Sequence, residues 1–529
     1  MSSLSARAVE PGAARNTLWL MAVFAAVKLG LHAWVGEGYG WFRDEFYYVV
    51  CSDRLGWGYV DHPPLSIALL KLWRLAFGDS LFAIRLLPAL AGAAAIVTTG
   101  WMARRLGGGT YAQALAMTAA LIAPLHLALT GFYSMNAFDL LLWTLAAAVL
   151  VRTFTDHAAA GDAAAPHPAR TATRRWLLLG VIVGLGLMNK WSMMWFAGAI
   201  AIGVVLTRER RHLRTRGPWL AALSAALIFL PHAIWQVAHD GPTFEFIRNA
   251  TGQKMLAVAP LEFLLDQVSS MHPLTLPVWL AGLVWLLARP GLRALGIAFI
   301  AVTLLLVLNG TSRASYLAPA YTMLFAAGGV ALARTLLPAR LPLLRGVWLG
   351  LMLAGGAALL PLALPVLPVD AYVAYAARLG IGPSTDERKE LGRLPQHYAD
   401  MLGWEAIVAE VARVHHALPQ EDRERASIFT YNYGVAGAID VLGRAHALPP
   451  AVSGHNQYWL WGTRGATGEV LIVVGGSREG HLRVYERADS AGVTDCGDCM
   501  PYENGRTIWV LRGPRHPVEE VWPQLKHYD

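Results

Sequence analysis

Charged residues are scarce in this sequence. Asp, Glu, Lys and Arg make up 15% of its 529 residues, against 55% for hydrophobic residues, and the mean hydropathy is +0.41. This balance excludes an ordinary soluble protein of such length and predicts a polytopic α-helical membrane protein. The formal net charge of +8 does not favour a nucleic-acid partner, because the placement of charge in a membrane protein matters more than its sum.

Cysteine is also scarce, with three residues. Cys496 and Cys499 form the sequence CGDC, and no second pair stands at the spacing that a zinc site needs. In an oxidising compartment a local disulfide is the favoured interpretation, with free thiols and a metal site as alternatives. Cys51 is expected to be a small buried residue.

The N-terminal segment MSSLSARAVEPGAARN lacks the cleavage pattern of a signal peptide, so the first apolar stretch is expected to remain as a transmembrane helix. A span needs about 20 mostly apolar residues. Only Asn189 and Lys190 separate the fifth and sixth candidates, which form either a tight hairpin or a re-entrant element. The eleven predicted spans are 17–36, 81–103, 111–130, 132–151, 176–189, 191–207, 218–238, 273–288, 294–309, 316–333 and 346–368.

Positively charged residues concentrate in the loops on one side of the predicted membrane topology. If the N-terminus is cytoplasmic, the inside loops should be rich in Lys and Arg, and RERRHLRTR at 208–216 is the clearest case. The other loops are mixed or acidic. Eleven spans from a cytoplasmic start place the C-terminus outside, which predicts a multi-pass membrane protein. The remaining inside cations are Arg104, Arg105, Arg152, Arg170, Arg174, Arg175, Arg289, Arg293, Arg334, Arg340 and Arg345.

Two regions lie outside the predicted spans. The first is an outer loop at 37–80, within a transmembrane domain at 1–368. The segment LSIALLKLWRLAF at 65–77 of this loop is typical of a helix lying on the membrane surface. Residues 369–529 are predicted to form a separate outside α/β domain. Its predicted helices are 401–417 and 434–443, and its predicted strands are 427–431, 470–475, 482–486 and 507–512. The low-complexity segment 156–173 is expected to be a flexible cytoplasmic loop.

Polar side chains from separate parts of the chain gather at the predicted outer surface. Asn136 and Asp139 lie three residues apart, on one helix face, and an acid within a membrane span is a functional candidate by default. Pro63 and Pro64 would fix the turn that carries the two preceding residues. Such a distribution suits an active site at the bilayer boundary. The candidates are Asp44, Glu45, Asp61, His62, Arg85, Asp139, Lys190, Arg313 and Tyr316.

Several of these residues also have a structural interpretation. Asp44 could simply cap a helix, since Asp is a favoured N-cap residue. Arg85 and Lys190 could be long side chains whose charged ends reach the interface. His62 could be an ordinary loop residue. For Asp139, within the apolar stretch FDLLLW, a purely structural role is harder to argue.

Two motifs carry a resemblance to a known family. RDEFYY at 43–48 and DHPPL at 61–65 resemble the outer-loop motifs of the C-type membrane glycosyltransferases of family 39, which include protein O-mannosyltransferases and lipid A aminoarabinose transferases. The resemblance covers roughly residues 1–340 and includes LPHAIWQ at 230–236 and YLAPAY at 316–321. The C-terminal residues, with SGHNQYWLWG at 453–462, resemble the extra outside domain of a separate bacterial branch. The resemblance therefore implies a location in the bacterial inner (plasma) membrane.

This resemblance implies a reaction. The donor would be a polyprenyl-phosphate sugar used at the outer face, and the sugar would pass with inversion to a hydroxyl or phosphate on a glycan, lipid or protein acceptor. The leaving lipid phosphate is a stable anion that needs cations, not a general acid, so a single base suffices. A divalent cation near the carboxylates stays open, because the family does not uniformly need one; no metal ligands are predicted.

The same resemblance implies residue roles. Asp44 matches the catalytic base, and His62, after Asp61, occupies the position near the donor phosphate. Adjacent residues point different ways, so Glu45 is either acceptor-positioning or structural. Two roles stay open for Arg43, a contact with the phosphate and an anchor at the membrane interface. Further phosphate contacts are implied at Arg85, Lys190, Arg313 and Tyr316, with Asp139 as an acid near the site.

Two other functions compete with this one. A transporter or flippase of a lipid-linked saccharide should show internal repeats and polar groups near the membrane midplane, and no clear repeat appears in the sequence. A non-catalytic scaffold that binds cell-wall components through its outer domain leaves the outer-face carboxylates without a purpose. The sequence therefore favours the glycosyltransferase, with the flippase as the alternative.

Overall fold

The computed structural model describes residues 11–160 and 169–529. The first ten residues, where the absence of a signal peptide was inferred, and 161–168, the middle of the predicted cytoplasmic loop, lie outside the described residues. The ends of that loop differ from the prediction, because helices Met135–Ala160 and Ala169–Leu187 extend into it. The physical reason is the alanine content of these ends, since alanine has the highest helix propensity.

Helices dominate the described residues up to residue 378. One predicted span, 111–130, is broken at Ala123, because Pro124 disfavours a helical conformation in the residue before it. The helices are Pro11–Val35, Arg43–Asp53, Leu65–Phe77, Leu81–Arg105, Thr110–Ile122, Pro124–Leu129, Met135–Ala160, Ala169–Leu187, Ser192–Val205, Arg216–Ala238, Pro242–Asn249, Pro260–Ser270, Leu276–Ala288, Arg293–Asn309, Tyr321–Arg334, Pro342–Ala363 and Val369–Arg378.

Several of these helices suit a bilayer. Two bent pairs, Ser192–Val205 with Arg208–Arg214 and Pro260–Ser270 with Pro273–Ala288, would raise the number of spans from five to at most seven. The chain is a polytopic helical membrane protein, while the count of eleven spans stays a prediction. The five described helices that are long and apolar enough to cross are Arg15–Val35, Leu81–Arg105, Met135–Asp156, Arg216–Ala238 and Pro342–Ala363.

The chain divides into two compact units. The first unit comprises Met1–Gly36, Phe82–Ile234 and Ala257–Val366. Within it, Gly282 and Gly328 lie where helices Leu276–Ala288 and Tyr321–Arg334 cross, and a Cβ at either position would collide with a backbone carbonyl of the other helix. Small residues of this kind let membrane helices approach closely.

The second unit comprises Glu37–Leu81, Trp235–Leu256 and Leu367–Asp529. The loop at 37–80 therefore packs with the C-terminal residues, whereas the sequence analysis assigned it to the transmembrane domain. The reason is a close helix contact: a Cβ on Gly437 would lie 2.8 Å from Cβ of Phe46. Phe46 is fully buried, and its ring lies edge-on to Trp404 with centroids 5.7 Å apart.

A mixed five-stranded sheet forms the centre of the second unit, in the order β2-β1-β3-β5-β4. Strand β1 lies between β2 and β3 and is parallel to both, while β5 is antiparallel to β3 and β4. The strands are β1 Ala426–Thr430, β2 Ala451–Ser453, β3 Val470–Val474, β4 Tyr485–Val493 and β5 Thr507–Pro514. The sequence analysis missed the three-residue β2, and it placed a strand at 482–486, where a short helix ends at Leu482 and β4 begins only at Tyr485.

Helices cover this sheet and connect its strands. The helix that follows β1 begins after Asn432, whose side-chain oxygen accepts a hydrogen bond from the N–H of Val435. Cys496 and Cys499 form a disulfide, and Cys51 is a fully buried free thiol. The helices are Gln396–Ala399, Trp404–His416, Gln420–Arg425, Tyr433–Leu442, Gln457–Leu460, Arg478–Leu482 and Val518–Val521.

Candidate active site

Asp44 lies in the first turn of helix Arg43–Asp53 in the second unit. Its Oδ1 accepts a hydrogen bond of 2.8 Å from the hydroxyl of Tyr433 and lies 3.5 Å from Nε of Arg43. Its side chain is 32% exposed. The carboxylate is thus oriented by two partners and still open to an incoming group, as a general base must be.

Glu45, the next residue, is fully buried. Its Oε2 accepts a 2.9 Å hydrogen bond from the backbone N–H of Phe42, which is a donor that the helix itself leaves unsatisfied. This contact supports the structural one of the two roles considered for Glu45. The neighbouring carboxylates therefore have separate surroundings, as their adjacent positions in a helix require.

The side chain of Arg43 is 11% exposed in the second unit, and the two roles left open for it stay predictions. It donates a 2.6 Å hydrogen bond to the hydroxyl of Tyr502 and lies 3.5 Å from Oδ1 of Asp400. Its guanidinium also lies over the ring of Tyr433, 5.5 Å from the centroid. Arg43 therefore connects the helix that carries Asp44 to residues far along the chain.

Asp61 and His62 occupy a tyrosine-lined turn of the second unit. Oδ1 of Asp61 accepts a 2.8 Å hydrogen bond from Tyr47 and lies 3.9 Å from Nε2 of His62. Burial raises the pKa of Asp61, although His62 and Tyr47 act to lower it. His62 is 1% exposed and stacks on Tyr48 with centroids 4.9 Å apart. In this structure His62 packs within the turn, and its contact with a phosphate stays a prediction.

A polar cluster of the first unit contains Asp139 and Lys190. The hydroxyl of Ser192 donates its one proton to the carboxylate of Asp139, whose two oxygens lie 2.9 and 2.8 Å from Oγ. Nζ of Lys190 lies 3.7 Å from Asp139 and donates a 2.8 Å hydrogen bond to Asn136. It also lies 5.1 Å from the ring centroid of Tyr316. The structure thus brings together three predicted site residues, Asp139, Lys190 and Tyr316.

Arg85 and Arg313 have other surroundings in the first unit. Arg85 is buried and donates a 2.7 Å hydrogen bond to the carbonyl of Gly36. Arg313 lies directly before the short helix Ala314–Tyr316, three residues from the ring that Lys190 faces. Arg85 thus has a helix-end contact, and Arg313 stands beside the cluster in sequence.

A cavity of about 470 Å³ in the second unit lies at the ends of β1 and β3. We call it the strand-end cavity. Arg43 and Tyr433, the two partners of Asp44, both line it. Its lining residues are Arg43, Lys254, Glu387, Lys389, Thr430, Tyr431, Asn432, Tyr433, Gly434, Val435, His455, Val474, Gly475, Gly476, Tyr502, Glu503, Arg506, His527 and Asp529.

Burial changes two carboxyl groups near Arg43. It raises the pKa of Glu503 to about 7, against the lowering effects of Asn432 and Arg43. It also raises the pKa of Asp400 to about 6, although Arg43 opposes the shift. A fraction of both groups is therefore neutral near pH 7.

Three side chains in the same cavity could in principle hold a metal ion. Potential ligand atoms of His455, His527 and Asp529 lie within 4.8 Å of one another. The two histidine rings, however, stack with centroids 4.5 Å apart and planes 28° apart. Nitrogen lone pairs lie in the ring planes, so stacked rings direct them poorly toward one ion. The geometry therefore does not favour a metal centre here.

Sequence reasoning missed the partners that orient the candidate base. Tyr433 stands in YNYGVAGAID and Asp400 in HYADMLG, and neither stretch contains a motif that points to position 44. Ser192 stands two residues after Lys190, but its contact with Asp139 depends on how the helices pack. Only the tyrosines of RDEFYY gave a local signal, and Tyr47 of that run does contact Asp61.

Part of the chain is similar in sequence to known glycosyltransferases. A sequence model of the dolichyl-phosphate-mannose-protein mannosyltransferase family matches residues 61–235. The undecaprenyl phosphate-alpha-4-amino-4-deoxy-L-arabinose arabinosyl transferase of Edwardsiella ictaluri is 29% identical over 192 residues, which is 35% of this chain. The matched region spans about a third, 32%, of the length of that curated relative.

Two solved structures have the same fold. ArnT from Cupriavidus metallidurans, in a crystal structure with undecaprenyl phosphate, matches with a TM-score of 0.60 and 15% identity, over 96% of this chain and 100% of ArnT. An oligosaccharyltransferase from Archaeoglobus fulgidus matches with a TM-score of 0.50 and 13% identity, over 82% of this chain and 64% of its own. The sequence similarity over residues 61–235 and the shared fold confirm the resemblance that RDEFYY and DHPPL predicted.

Proposed function

We propose that this protein is an inverting glycosyltransferase that moves a sugar from a polyprenyl-phosphate donor to a hydroxyl or phosphate acceptor at the outer face of a bacterial plasma membrane. The observation that carries the proposal is the setting of Asp44, a carboxylate that two side chains orient and that stays partly exposed. The similarity to a transferase whose name contains undecaprenyl phosphate supports the choice of donor.

The proposed chemistry needs one base. Asp44 takes the proton from the acceptor as its oxygen attacks the anomeric carbon, and the bond from that carbon to the phosphate oxygen breaks. Polyprenyl phosphate leaves as an anion, so cations near it stabilise the departing charge and no proton has to be supplied. Attack opposite the leaving group inverts the anomeric centre.

The first unit contains a cation, Lys190, that suits the phosphate of the donor. Lys190 is held by Asn136 and lies near Asp139, which in turn accepts from Ser192. Anchoring of this kind limits the movement of a long side chain and aids binding of a phosphate. We propose that Lys190 contacts the donor phosphate and that Asp139 positions Lys190.

The test is transfer of labelled sugar from a polyprenyl-phosphate donor in membranes. We expect Asp44→Asn to reduce the rate by at least about a hundredfold, the usual lower range for loss of a general base. Asp489→Asn, which changes an exposed carboxylate on β4, is the matched control and should keep the parent rate. Normal transfer by Asp44→Asn would show that the base is a different residue.

A second arm addresses the donor. Lys190→Gln removes one charge and keeps a chain that can still hydrogen-bond to Asn136. We expect the KM for the donor to rise, with a smaller effect on the KM for the acceptor. If the parent protein moves intact lipid-linked sugar across the membrane and transfers none, the flippase replaces the transferase.

A further inference from the structure

The strand-end cavity lies where the connections of the sheet change direction. From β1 the chain passes through helix Tyr433–Leu442 to β2 on one side, and β3 then pairs with β1 on the other side. Such a switch leaves a crevice beyond the carboxyl ends of parallel strands, and ligands of α/β sheets bind there as a rule. At this point β1 ends at Thr430 and β3 ends at Val474, and the residues that follow each strand line the cavity.

Free positive charge is the main electrostatic feature of this cavity. Lys254 lies 3.8 Å from Glu387, and Arg43 is paired as described above. Lys389 and Arg506, by contrast, are exposed. Lys389 lies 5.2 Å from the ring centroid of Tyr502, and Arg506 donates a 2.6 Å hydrogen bond to the carbonyl of Tyr502. Two exposed cations that line one cavity, with neutral groups as their direct contacts, favour an anionic ligand.

The carboxylates that line the cavity do not remove this excess. Glu503 is buried and its Oε1 accepts from Asn432 at 2.9 Å. Asp529 lies 3.3 Å from Nε2 of His455. Glu503 is thus withdrawn into the protein, and the charges that an incoming group would meet are the two cations Lys389 and Arg506 and the carboxylate of Asp529, whose side chain is 33% exposed.

An aromatic ring is also available. Tyr431, directly after β1, is 45% exposed, although large aromatic rings in an α/β domain are usually buried. Gly475 and Gly476 opposite it have positive φ values of 94° and 79°, and their lack of side chains keeps the space above the ring open. A flat exposed ring suits the C–H face of a pyranose, and a cavity of this size suits one or two sugar rings.

We propose that the strand-end cavity binds a saccharide that carries a phosphate or carboxylate group, with Lys389 and Arg506 on the anion and Tyr431 on the sugar ring. Tyr433 and Arg43 line this cavity and also contact Asp44. Resting on the proposed function, the cavity then holds the anionic part of the acceptor while its hydroxyl or phosphate oxygen is presented to Asp44.

The experiment is calorimetric binding to the full chain in detergent, with glucose 1-phosphate, glucuronate, methyl glucoside and inorganic phosphate as probes. We expect both anionic sugars to bind at least about ten-fold more tightly than methyl glucoside. Lys389→Ala/Arg506→Ala should remove that preference. Arg483→Ala/Arg487→Ala, which removes two exposed charges outside the cavity, should keep it.

The sugar contact has its own control. Tyr431→Ala should weaken glucose 1-phosphate about ten-fold and leave inorganic phosphate unchanged. Equal binding of charged and neutral sugars, or equal loss in the two double variants, overturns the proposal. Inorganic phosphate that binds as tightly as glucose 1-phosphate also overturns it, because the site would then read the anion alone.

These experiments distinguish a wrong assignment of the cavity from a wrong proposed function. Asp44→Asn should abolish transfer and leave binding of glucose 1-phosphate intact. A parent protein that binds the anionic sugars but transfers nothing from a polyprenyl-phosphate donor refutes the proposed function and leaves the cavity assignment standing. A parent protein that transfers sugar but shows no preference for anionic sugars refutes the cavity assignment alone.

Discussion

The hydrogen bond from Tyr433 to Asp44 gives the sharpest test of the candidate site. Tyr433→Phe removes one hydroxyl and keeps the ring, which packs against Tyr47 and His455 with centroid distances of 4.7 and 4.8 Å. The fold of the second unit should therefore survive the change. What is lost is the 2.8 Å contact with Oδ1, which fixes the direction of the carboxylate.

The size of the effect follows from the charge and exposure of Asp44. A hydrogen bond to a charged group contributes about 1.5–3 kcal/mol. Because the Asp44 side chain is 32% exposed, water can replace part of the lost contact, and the lower end of that range applies. A loss of about 1.4 kcal/mol is a tenfold effect on rate. We therefore expect kcat to fall about tenfold, with little change in the KM for the donor.

The assay is initial-rate transfer from a labelled polyprenyl-phosphate sugar at saturating donor. Tyr485→Phe is the matched control, since Tyr485 donates a 3.0 Å hydrogen bond to the carbonyl of Gly468 in the same unit, away from Asp44. Its kcat should equal that of the parent. A parental kcat for Tyr433→Phe would refute the claim that Tyr433 orients the base.

Three further predictions concern the stability of the second unit. Because the pKa of Glu503 rises from 4.5 to about 7 on folding, the free energy of unfolding should fall between pH 4.5 and 7 by up to about 3 kcal/mol; Glu503→Gln should flatten this fall in thermal melts. Gly437→Ala should cost about 1–3 kcal/mol through overpacking, whereas Gly382→Ala, with open space around it, should leave the melting temperature unchanged. The disulfide Cys496–Cys499 closes a very short loop, so Cys496→Ser/Cys499→Ser should cost at most about 2 kcal/mol, measured by melts with and without reductant.

Local patterns made much of the architecture predictable from the sequence. Apolar runs of span length gave a helical membrane protein, and the runs SIFTY, VLIVVG and TIWVLR coincide with β1, β3 and β5. Elements that depend on few residues were harder to predict from the sequence. β2 has only three residues, and the helix Arg478–Leu482 starts from a Ser477 side chain that accepts from Gly480, a contact that interrupts an apparently strand-like stretch.

The candidate site was predictable only in part, and for a physical reason. Asp44 and the turn at Asp61 stand in recognisable motifs, and the contact between Lys190 and Asp139 joins two candidates. The partners of Asp44 come from the distant C-terminal residues, for example Tyr433, 389 residues away along the chain. No periodicity or spacing encodes such a distance, because it arises from packing of helix Arg43–Asp53 against helix Tyr433–Leu442.

The discontinuous make-up of the second unit also affects how the protein is made. Residues 37–81 leave the ribosome long before residues 367–529, and at about 5–20 residues per second the delay is on the order of tens of seconds. During this time Phe46 and Tyr47, fully or almost fully buried at the end, lack their C-terminal partners Trp404 and Tyr433. The packing around the helix that bears Asp44 is therefore completed last, and a chain cut short before residue 367 would carry the RDEFYY motif without the Tyr433 hydroxyl that orients Asp44.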